Sequence, residues 1–227
     1  YFQDGFSIQT GSGGAALAVT RFIENEMAEQ GITADFALGG ITSQIVKLHE
    51  QGLVKKVLDV QSFDLDAALS LKNNHFHHQI DATHYASHMV SAAVDQLDFV
   101  VLSALEIDTD FNVNVHTDSN GYIMGGSGGH SDTAAGAKLS MIIAPMFRAR
   151  LPIVTDHVHC ISTPGKDIDV LVTQGGIAVN PKNAELAQRL KAAGLPVIDI
   201  HELKEKAERI TGAPKALPKG DRAVAEV

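Results

Sequence analysis

The sequence predicts an α/β protein with three layers, in which helices cover both faces of a mainly parallel sheet. Short apolar segments alternate along the whole chain with segments of about ten residues whose apolar positions follow the period of a helix. The segment 99–104 is almost continuously apolar, which is typical of a strand buried on both faces of a parallel sheet. No fixed-period repeat and no internal linker interrupts this alternation, so we predict a single domain over 1–227.

Strands and helices alternate regularly in the first half of the chain. We predict strands at 6–9, 34–39 and 56–60, and helices at 15–30, 43–51, 65–72 and 83–89. Gly31 and Gly52 follow the first two helices as stop signals, and Thr42 or Ser43 can cap the second helix. The polar segment 73–79 is predicted to be a loop.

The second half continues the same pattern up to a tail punctuated by prolines. We predict strands at 99–104, 113–116, 140–144, 152–159, 169–173 and 196–200, and helices at 132–138, 181–193 and 202–211. The helix at 181–193 has a proline in its first turn and Gly194 at its end, as helices prefer. The segment 213–227 is predicted to be a tail.

Composition limits the classes of partner. The formal net charge is −9, so no general positive field is present to hold a nucleic acid, although Lys55, Lys56, Arg148 and Arg150 form local cationic spots that can bind phosphate. No apolar run approaches the ~18 residues of a membrane span. The single cysteine, Cys160, cannot form an internal disulfide, which fits a reducing compartment and predicts a cytoplasmic protein.

The chain opens with Tyr-Phe-Gln and passes at once into a predicted strand. Residues 1–3 are therefore either the remnant of an expression tag or part of a longer protein. We favour a piece of a longer protein, because a functional-looking glycine loop follows the first strand without a lead-in.

A glycine-rich segment at 121–132, GYIMGGSGGHSD, is the strongest candidate for a functional site. Gly125, Gly126, Gly128 and Gly129 carry no Cβ atoms, so their backbone N–H groups can approach a thioester or phosphate oxygen closely. The alternative is a glycine-rich hairpin turn that binds no ligand.

A second glycine cluster consists of Gly11, Ser12, Gly13 and Gly14, between the first strand and the first helix. Loops in this place bind phosphates, because the helix N-terminus offers free N–H groups and a favourable dipole. The third glycine is misplaced for a dinucleotide fingerprint, and no Lys-Ser/Thr follows for a Walker loop. A tight turn without a ligand is the alternative.

Several polar residues have two open interpretations. Glu106 and Asp108 follow the buried strand, where they either orient the glycine segment by hydrogen bonds or act as general base. His157 and His159 would lie on one face of a strand, but two donors do not make a metal site, and packing is the favoured role. His75, His77 and His78 are expected in a solvated loop, and no metal site is predicted.

Several separated blocks resemble the CoA-transferases, and above all the C-terminal half of the citrate lyase alpha-chain family. The opening segment 4–19, the helix 44–52 and the pair of segments 103–108 and 125–132 resemble CoA-transferases generally. The blocks that resemble the alpha-chain family are DFALGGI at 35–41, LDVQSFD at 58–64, VLSALEID at 101–108 with FNVNV at 111–115, and GIAVNP at 176–181. The resemblance implies a three-layer fold of the CoA-transferase (NagB/RpiA-like) type.

The resemblance also implies an activity and its partners. An acetyl thioester on the CoA-like phosphopantetheine arm of an acyl carrier protein, or on CoA itself, exchanges its acyl group with citrate to give citryl thioester and acetate. The implied partners are citrate, the gamma (acyl carrier) and beta (lyase) chains, the N-terminal domain of the same protein and further copies in an oligomer. The carrier's phosphates or a citrate carboxylate are expected at 11–14, and Gly39, Gly40 and Asn114 among the substrate-binding positions.

The sequence departs from the better-known transferases at one position. They carry a nucleophilic glutamate just before the helix that residues 44–52 resemble, and Gly39 and Gly40 stand there in this chain. The departure predicts direct attack of a citrate carboxylate on the acetyl thioester, through a mixed anhydride and without a glutamyl-enzyme. Two alternatives remain open, namely a non-catalytic domain that binds sugar phosphates and a transferase for a related acid such as citramalate.

Overall fold

The protein is described by a computed structural model over residues 1–11, 13–87, 89–118 and 120–215. Its strands are β1 (Phe6–Thr10), β2 (Ala34–Ile41), β3 (Val54–Ser62), β4 (His77–Gln79), β5 (Phe99–Leu102), β6 (Glu106–Asp108), β7 (Val113–Asn114), β8 (Ser140–Ile143), β9 (Phe147–Arg148), β10 (Leu151–Pro152), β11 (Val154–Thr155), β12 (Val170–Thr173) and β13 (Gly176–Val179). Its α-helices are α1 (Gly14–Gln30), α2 (Ser43–Glu50), α3 (Leu65–Asn73), α4 (Ala82–Ala86), α5 (His130–Gly136), α6 (Ala184–Ala192) and α7 (Ile200–Thr211).

Eight strands form the central sheet, in the order β13-β12-β8-β5-β1-β2-β3-β4. All neighbouring pairs are parallel except β12 with β13. From β1 the chain builds the sheet outward through β2, β3 and β4, and then returns to place β5 on the other side of β1. The connections that leave β1 and β5 therefore diverge, and this reversal opens a crevice at their carboxyl ends.

Helices cover both faces of the sheet, which confirms the predicted three-layer α/β class. One face carries α1, α2 and α3, whose buried side chains pack with those of β1, β2 and β3. On the other face α4 and α5 lie over the centre of the sheet, and α7 packs with the small sheet β11-β6-β7. No helix among the described residues is both long and apolar enough to cross a membrane.

Local sequence signals explain where the helices begin and end. Helix α1 starts after Gly13, which provides no side-chain cap, and stops at Gly31, which adopts the left-handed conformation at φ 65°. Asp64 caps α3, because its carboxylate accepts the backbone N–H of Ala67 at 2.9 Å. Asp199 caps α7 in the same way, through the N–H of His201.

The structure corrects three predicted elements and adds a strand that was not predicted. The predicted strand at 152–159 is two short strands, β10 and β11, and ends at Thr155, so His157 and His159 do not share a strand face. The predicted strand at 196–200 is reduced to one bridge, between Val197 and Ile177, because α7 already begins at Ile200. Helix α4 ends at Ala86 rather than at 89, and β13 was not predicted.

The expectation of a solvated loop at 73–79 is wrong for His77. This residue begins the edge strand β4, and only 4% of it is exposed. Its Nδ1 lies 2.9 Å from the Ser70 hydroxyl, and its Nε2 lies 3.2 Å from a carboxylate oxygen of Asp59 on β3. His75 and His78 are exposed, as expected. Strand pairing with β3 turns His77 under α3, which the polar sequence alone does not reveal.

Candidate functional site

A cleft of about 1170 Å³ opens at the carboxyl ends of β1, β2, β3 and β5. The remaining walls come from α4, from the segment 124–130 and from Arg148. The cleft therefore lies at the crevice where the chain reverses direction across the sheet, the usual place for a ligand in an open α/β fold.

Most of the glycines singled out from the sequence meet in this cleft. They are Gly11, Gly13, Gly40, Gly125, Gly126, Gly128 and Gly129. Ser12 lies outside the described residues. Gly14 is the first residue of α1, and Gly39 lies beside Gly40 on β2. Glu106 and Asn114 are buried outside the lining of the cleft.

The segment 125–129 lines the cleft and carries backbone donors without a partner among the described residues. A short hairpin leads into it, with a bridge between Thr117 and Ile123 and a hydrogen bond from the N–H of Met124 to the carbonyl of His116. The backbone N–H groups from 125 to 129 donate to none of the described residues. Unsatisfied N–H groups at an open surface are ready to bind an anionic oxygen.

The N-terminus of α1 supplies a second set of donors. Gly13 is its N-cap and makes no side-chain cap bond, so the first-turn N–H groups are not capped from within the helix. Gly13 also lines the cleft. The positive end of a 17-residue helix dipole therefore points to the same crevice as the segment 125–129.

Two neighbouring side chains fill the space beside Gly39 and Gly40. Gly39 has φ 105°, and the pairing register of β2 with β3 shifts between the two glycines. A Cβ atom on Gly39 would lie 2.6 Å from Oε1 of Gln9, and one on Gly40 would collide with the ring of Phe63. A side chain at either position would have to displace the Gln9 amide or the Phe63 ring, so packing favours glycine at both.

Gln9 and Tyr85 form a buried pair between Gly39 on β2 and Gly129 in the segment 125–129. The amide Nε2 of Gln9 donates to the hydroxyl of Tyr85 at 3.0 Å. The Tyr85 ring in turn packs against Gly129, where a Cβ atom would lie 2.7 Å from Cζ of Tyr85. Burial raises the pKa of the Tyr85 hydroxyl, with a smaller contribution from the charge of Asp132, so the hydroxyl keeps its proton.

His130 ties the glycine segment to the end of β5. Its Nε2 lies 2.9 Å from the carbonyl oxygen of Ser103 and its Nδ1 lies 2.7 Å from the hydroxyl of Thr163. A carbonyl can only accept, so Nε2 carries the proton and Nδ1 accepts from Thr163. Burial lowers the pKa of His130, and the charge of His116 acts in the same direction, so the ring is neutral near pH 7.

Glu106 and Asn114 form buried hydrogen bonds at the start of the hairpin. The amide Nδ2 of Asn114 donates to Oε2 of Glu106 at 2.9 Å, and its Oδ1 accepts the backbone N–H groups of His116 and Thr117. Glu106 is 5% exposed, and its recorded partner is Asn114 rather than a glycine N–H. The geometry is that of a network that orients the hairpin, and the catalytic role of Glu106 stays a prediction.

The charges of the cleft are few. Among the described residues that line it, Arg148 is the single lysine or arginine and Asp132 the single aspartate or glutamate. Arg148 belongs to the β9–β10 hairpin, whose turn residues Ala149 and Arg150 have positive φ values of 45° and 69°. The described residues contain no cluster of three or more metal-ligating side chains.

The lining residues that sequence reasoning did not place in this site include Phe63, Tyr85 and Arg148. They come from separate elements that only the folded sheet brings together. One signal was available, since two consecutive glycines in a buried strand indicate close approach by other groups.

The fold and the glycine-lined crevice define a three-layer α/β domain with a candidate ligand site where the chain reverses across the sheet. The family model described as "Citrate lyase, alpha subunit (CitF)" matches residues 1–227, and the chain belongs to this family. The resemblance inferred from the sequence is thereby confirmed.

Relatives and solved structures agree with this assignment. The chain is 56% identical to the citrate lyase alpha chain of Escherichia coli (strain K12) and 55% identical to that of Haemophilus influenzae, over its whole length in both cases. It covers 45% and 46% of those proteins, respectively, and matches their C-terminal part.

A crystal structure of the citrate lyase alpha subunit from Streptococcus mutans, in complex with citrate, superposes with a TM-score of 0.95 at 52% identity. It matches 99% of this chain, which covers 44% of that protein. The alpha subunit of a malonate decarboxylase from Acinetobacter baumannii shares the fold, with a TM-score of 0.63 at 15% identity.

Proposed function

We propose that this chain is the C-terminal domain of a citrate lyase alpha chain that exchanges acyl groups. In the reaction, the acetyl thioester of an acyl carrier protein and citrate give the citryl thioester and acetate. One observation carries the proposal, namely that the segment 125–129, whose backbone N–H groups donate to none of the described residues, lines the same cleft as Gly40. The citrate complex of the Streptococcus mutans relative supports the choice of acid.

The exchange is proposed to run without an acyl group on the protein. A citrate carboxylate oxygen attacks the acetyl carbonyl, the C–S bond breaks and the thiolate leaves, which produces acetyl-citryl anhydride. The thiolate then attacks the citryl carbonyl and releases acetate. The glycines at positions 39 and 40 support this route, because neither position carries a carboxylate.

Each part of the cleft has a proposed role in this sequence. The N–H groups at 125–129 stabilise the oxyanion that forms at each attacked carbonyl, a contribution of ~3–4 kcal/mol for each donor. The N-terminus of α1 at 11–14 binds the phosphates of the carrier's arm or a citrate carboxylate. Arg148 supplies the positive charge for a second carboxylate. Holding the reactants in near-attack geometry is worth up to ~7–11 kcal/mol.

The remaining walls of the site are proposed to come from other parts of the assembly. The chain spans about 45% of the length of its curated relatives. We propose that an N-terminal domain completes the cleft and that the C-terminal domain described here is inactive without it. The gamma chain is proposed to deliver the thioester, and the beta chain to cleave the citryl product. The CoA-like arm supplies the thiol that carries the acyl group.

An exchange assay on the full natural protein tests this function. The protein is incubated with acetyl thioester and either citrate or citramalate, and the acyl thioesters are identified by mass spectrometry. Formation of citryl thioester supports the proposal. Citramalyl thioester alone would change the acid, and binding of sugar phosphates without any exchange would favour a non-catalytic domain.

A glycine pair with matched geometry tests the role of the segment 125–129. Gly128 has φ 53° and Gly194, at the end of α6, has φ 75°, and a Cβ atom would meet open space at both. Gly128→Val should lower exchange by about 10²–10³ through misplaced donors, with the fold intact. Gly194→Val carries the same backbone strain away from the cleft and should leave exchange unchanged. Equal rates in the two variants would refute the role.

A trapping experiment tests the absence of an acyl-protein. Borohydride added during turnover reduces a carboxylate that carries the thiol or the acyl group, and peptide mass spectrometry locates it. We expect no reduced side chain. Asp132, the single carboxylate that lines the cleft among the described residues, is the position to inspect first. A reduced Asp132 would replace the anhydride route with a covalent one.

A further inference from the structure

Phe63 is a half-exposed aromatic residue at the wall of the cleft, and its ring lies against Gly40. Forty-eight per cent of the residue is exposed, and it lines the cleft beside Gly40. The edge of the ring occupies the space in which a side chain at position 40 would begin. The ring therefore takes the volume that a residue other than glycine would use.

Hydrogen bonds hold both neighbours of Phe63. The hydroxyl of Ser62 donates to Asp59, and the carboxylate of Asp64 accepts the backbone N–H groups of Ser43 and Ala67 at 2.7 and 2.9 Å. The backbone N–H of Phe63 itself donates to the carbonyl of Ile41 at 2.8 Å. These bonds fix the backbone on both sides of Phe63, which sets the point from which the ring extends beside Gly40.

An apolar ring in this place has a consequence for reactions with water. An acyl thioester and an acyl anhydride both react with water, which would waste the acyl group: the oxygen of water adds to the carbonyl, the thiol or carboxylate leaves, and an acid is released. The donors at 125–129 stabilise the oxyanion of such an attack as well as that of exchange. An open cleft with these donors needs a means to keep water away.

We propose that Phe63 is a specificity-determining residue that excludes water from the acyl-exchange site and so favours exchange over hydrolysis. The inference rests on the proposed function. It adds a reason for the Gly40 and Phe63 pair: the glycine lets the ring lie against the backbone of β2, where a larger residue would push the ring aside.

The test compares exchange with hydrolysis in the full natural protein. Acetyl thioester is supplied with citrate, and citryl thioester and free thiol are measured together. In Phe63→Ala the ratio of hydrolysis to exchange should rise by about tenfold or more, while Phe63→Leu should restore most of the original ratio. Phe22→Ala removes a ring that is 71% exposed on α1, and should leave the ratio unchanged.

A second variant approaches the same contact from the other side. Gly40→Ala places a methyl group where the Phe63 ring lies, so it should also raise the ratio. The double variant should show little further increase, because both changes displace the same ring.

The outcomes separate this inference from the proposed function. If the unmodified protein exchanges acyl groups but Phe63→Ala and Gly40→Ala leave the ratio unchanged, the role of Phe63 is refuted and the exchange function stands. Proportional loss of both reactions would show a purely structural role for the ring and would also overturn the inference. If the unmodified protein does not exchange acyl groups, the proposed function itself fails.

Discussion

A hydrogen bond between the amide of Gln9 and the hydroxyl of Tyr85 connects Gly39 on β2 with Gly129 in the segment 125–129. Nε2 of Gln9 lies 3.0 Å from the Tyr85 oxygen, and the same amide fills the space beside Gly39. At the other end of the pair the Tyr85 ring lies against Gly129. The separation between β2 and the glycine segment is therefore set by two buried side chains rather than by the backbone alone.

Removal of the Tyr85 hydroxyl should destabilise the protein. Tyr85→Phe leaves the buried Gln9 amide without its partner, so we expect the free energy of unfolding to fall by about 1–3 kcal/mol. Urea titration followed by circular dichroism measures it. Tyr122→Phe removes a hydroxyl from a residue that is 71% exposed, and should change stability by less than about 0.5 kcal/mol. Similar values for the two variants would contradict the structural role of the pair.

Substitution of Gly129 should conflict with Tyr85. Gly129→Ala places a methyl group against the ring, and overpacking of this kind costs about 1–3 kcal/mol. Gly126→Ala, where a Cβ atom meets open space, should be nearly neutral.

A double-mutant cycle identifies the cause of the Gly129 effect. In a Tyr85→Ala background the clash is removed, so Gly129→Ala should cost at least about 0.5 kcal/mol less than in the unmodified protein. Additive effects would show that the methyl group acts through the backbone and not through the ring.

Substitution of His77 should destabilise the protein, whereas substitution of its neighbour His78 should not. His77→Ala removes one of the two partners of the buried Asp59 carboxylate, which keeps the Ser62 hydroxyl, and leaves a cavity, so we expect a loss of about 2–4 kcal/mol. His78→Ala changes an exposed residue in the same strand and should fall within about 0.5 kcal/mol of the unmodified protein. Thermal or urea unfolding of the pair decides between a buried network and a solvated segment.

Much of the fold was predictable because it depends on local signals. The period of the apolar residues places α1, α2, α3 and α7, and glycines such as Gly31 mark helix ends. The errors fall on short elements. Strand β4 has three residues and β11 has two, so neither offers enough alternation to be recognised.

The glycine segments of the site could be predicted from the sequence, but most of the side chains that line it could not. The segments 11–14 and 125–129 stand out by their glycine content, and the first was expected between a strand and a helix. Phe63, Tyr85 and Arg148 enter the cleft from a turn, a short helix and a hairpin far apart in the chain. Their roles depend on sheet order, which local periodicity does not encode.

The pH dependence of stability should report on His130. Burial lowers its pKa below the ordinary value of 6.5, so the unfolded chain binds a proton that the folded chain does not between the two values. The stabilising effect of the neutral ring is complete above about pH 6.5 and is lost as the pH falls toward the folded pKa. Asp64 and Asp98 have pKa values lowered from 3.8, so their contributions are complete above that value and do not change in the same window.

His130→Gln removes this proton-binding site. Its unfolding free energy should lie below that of the unmodified protein at about pH 7.5, and the difference should shrink at about pH 5, where the unmodified protein loses the advantage of a neutral ring. Urea titrations of both proteins at the two pH values provide the comparison. Protonation of Nδ1 removes the acceptor of the Thr163 hydroxyl, whereas the bond from Nε2 to the Ser103 carbonyl persists. A difference that stays constant with pH would show that the ring is not titrated within this window.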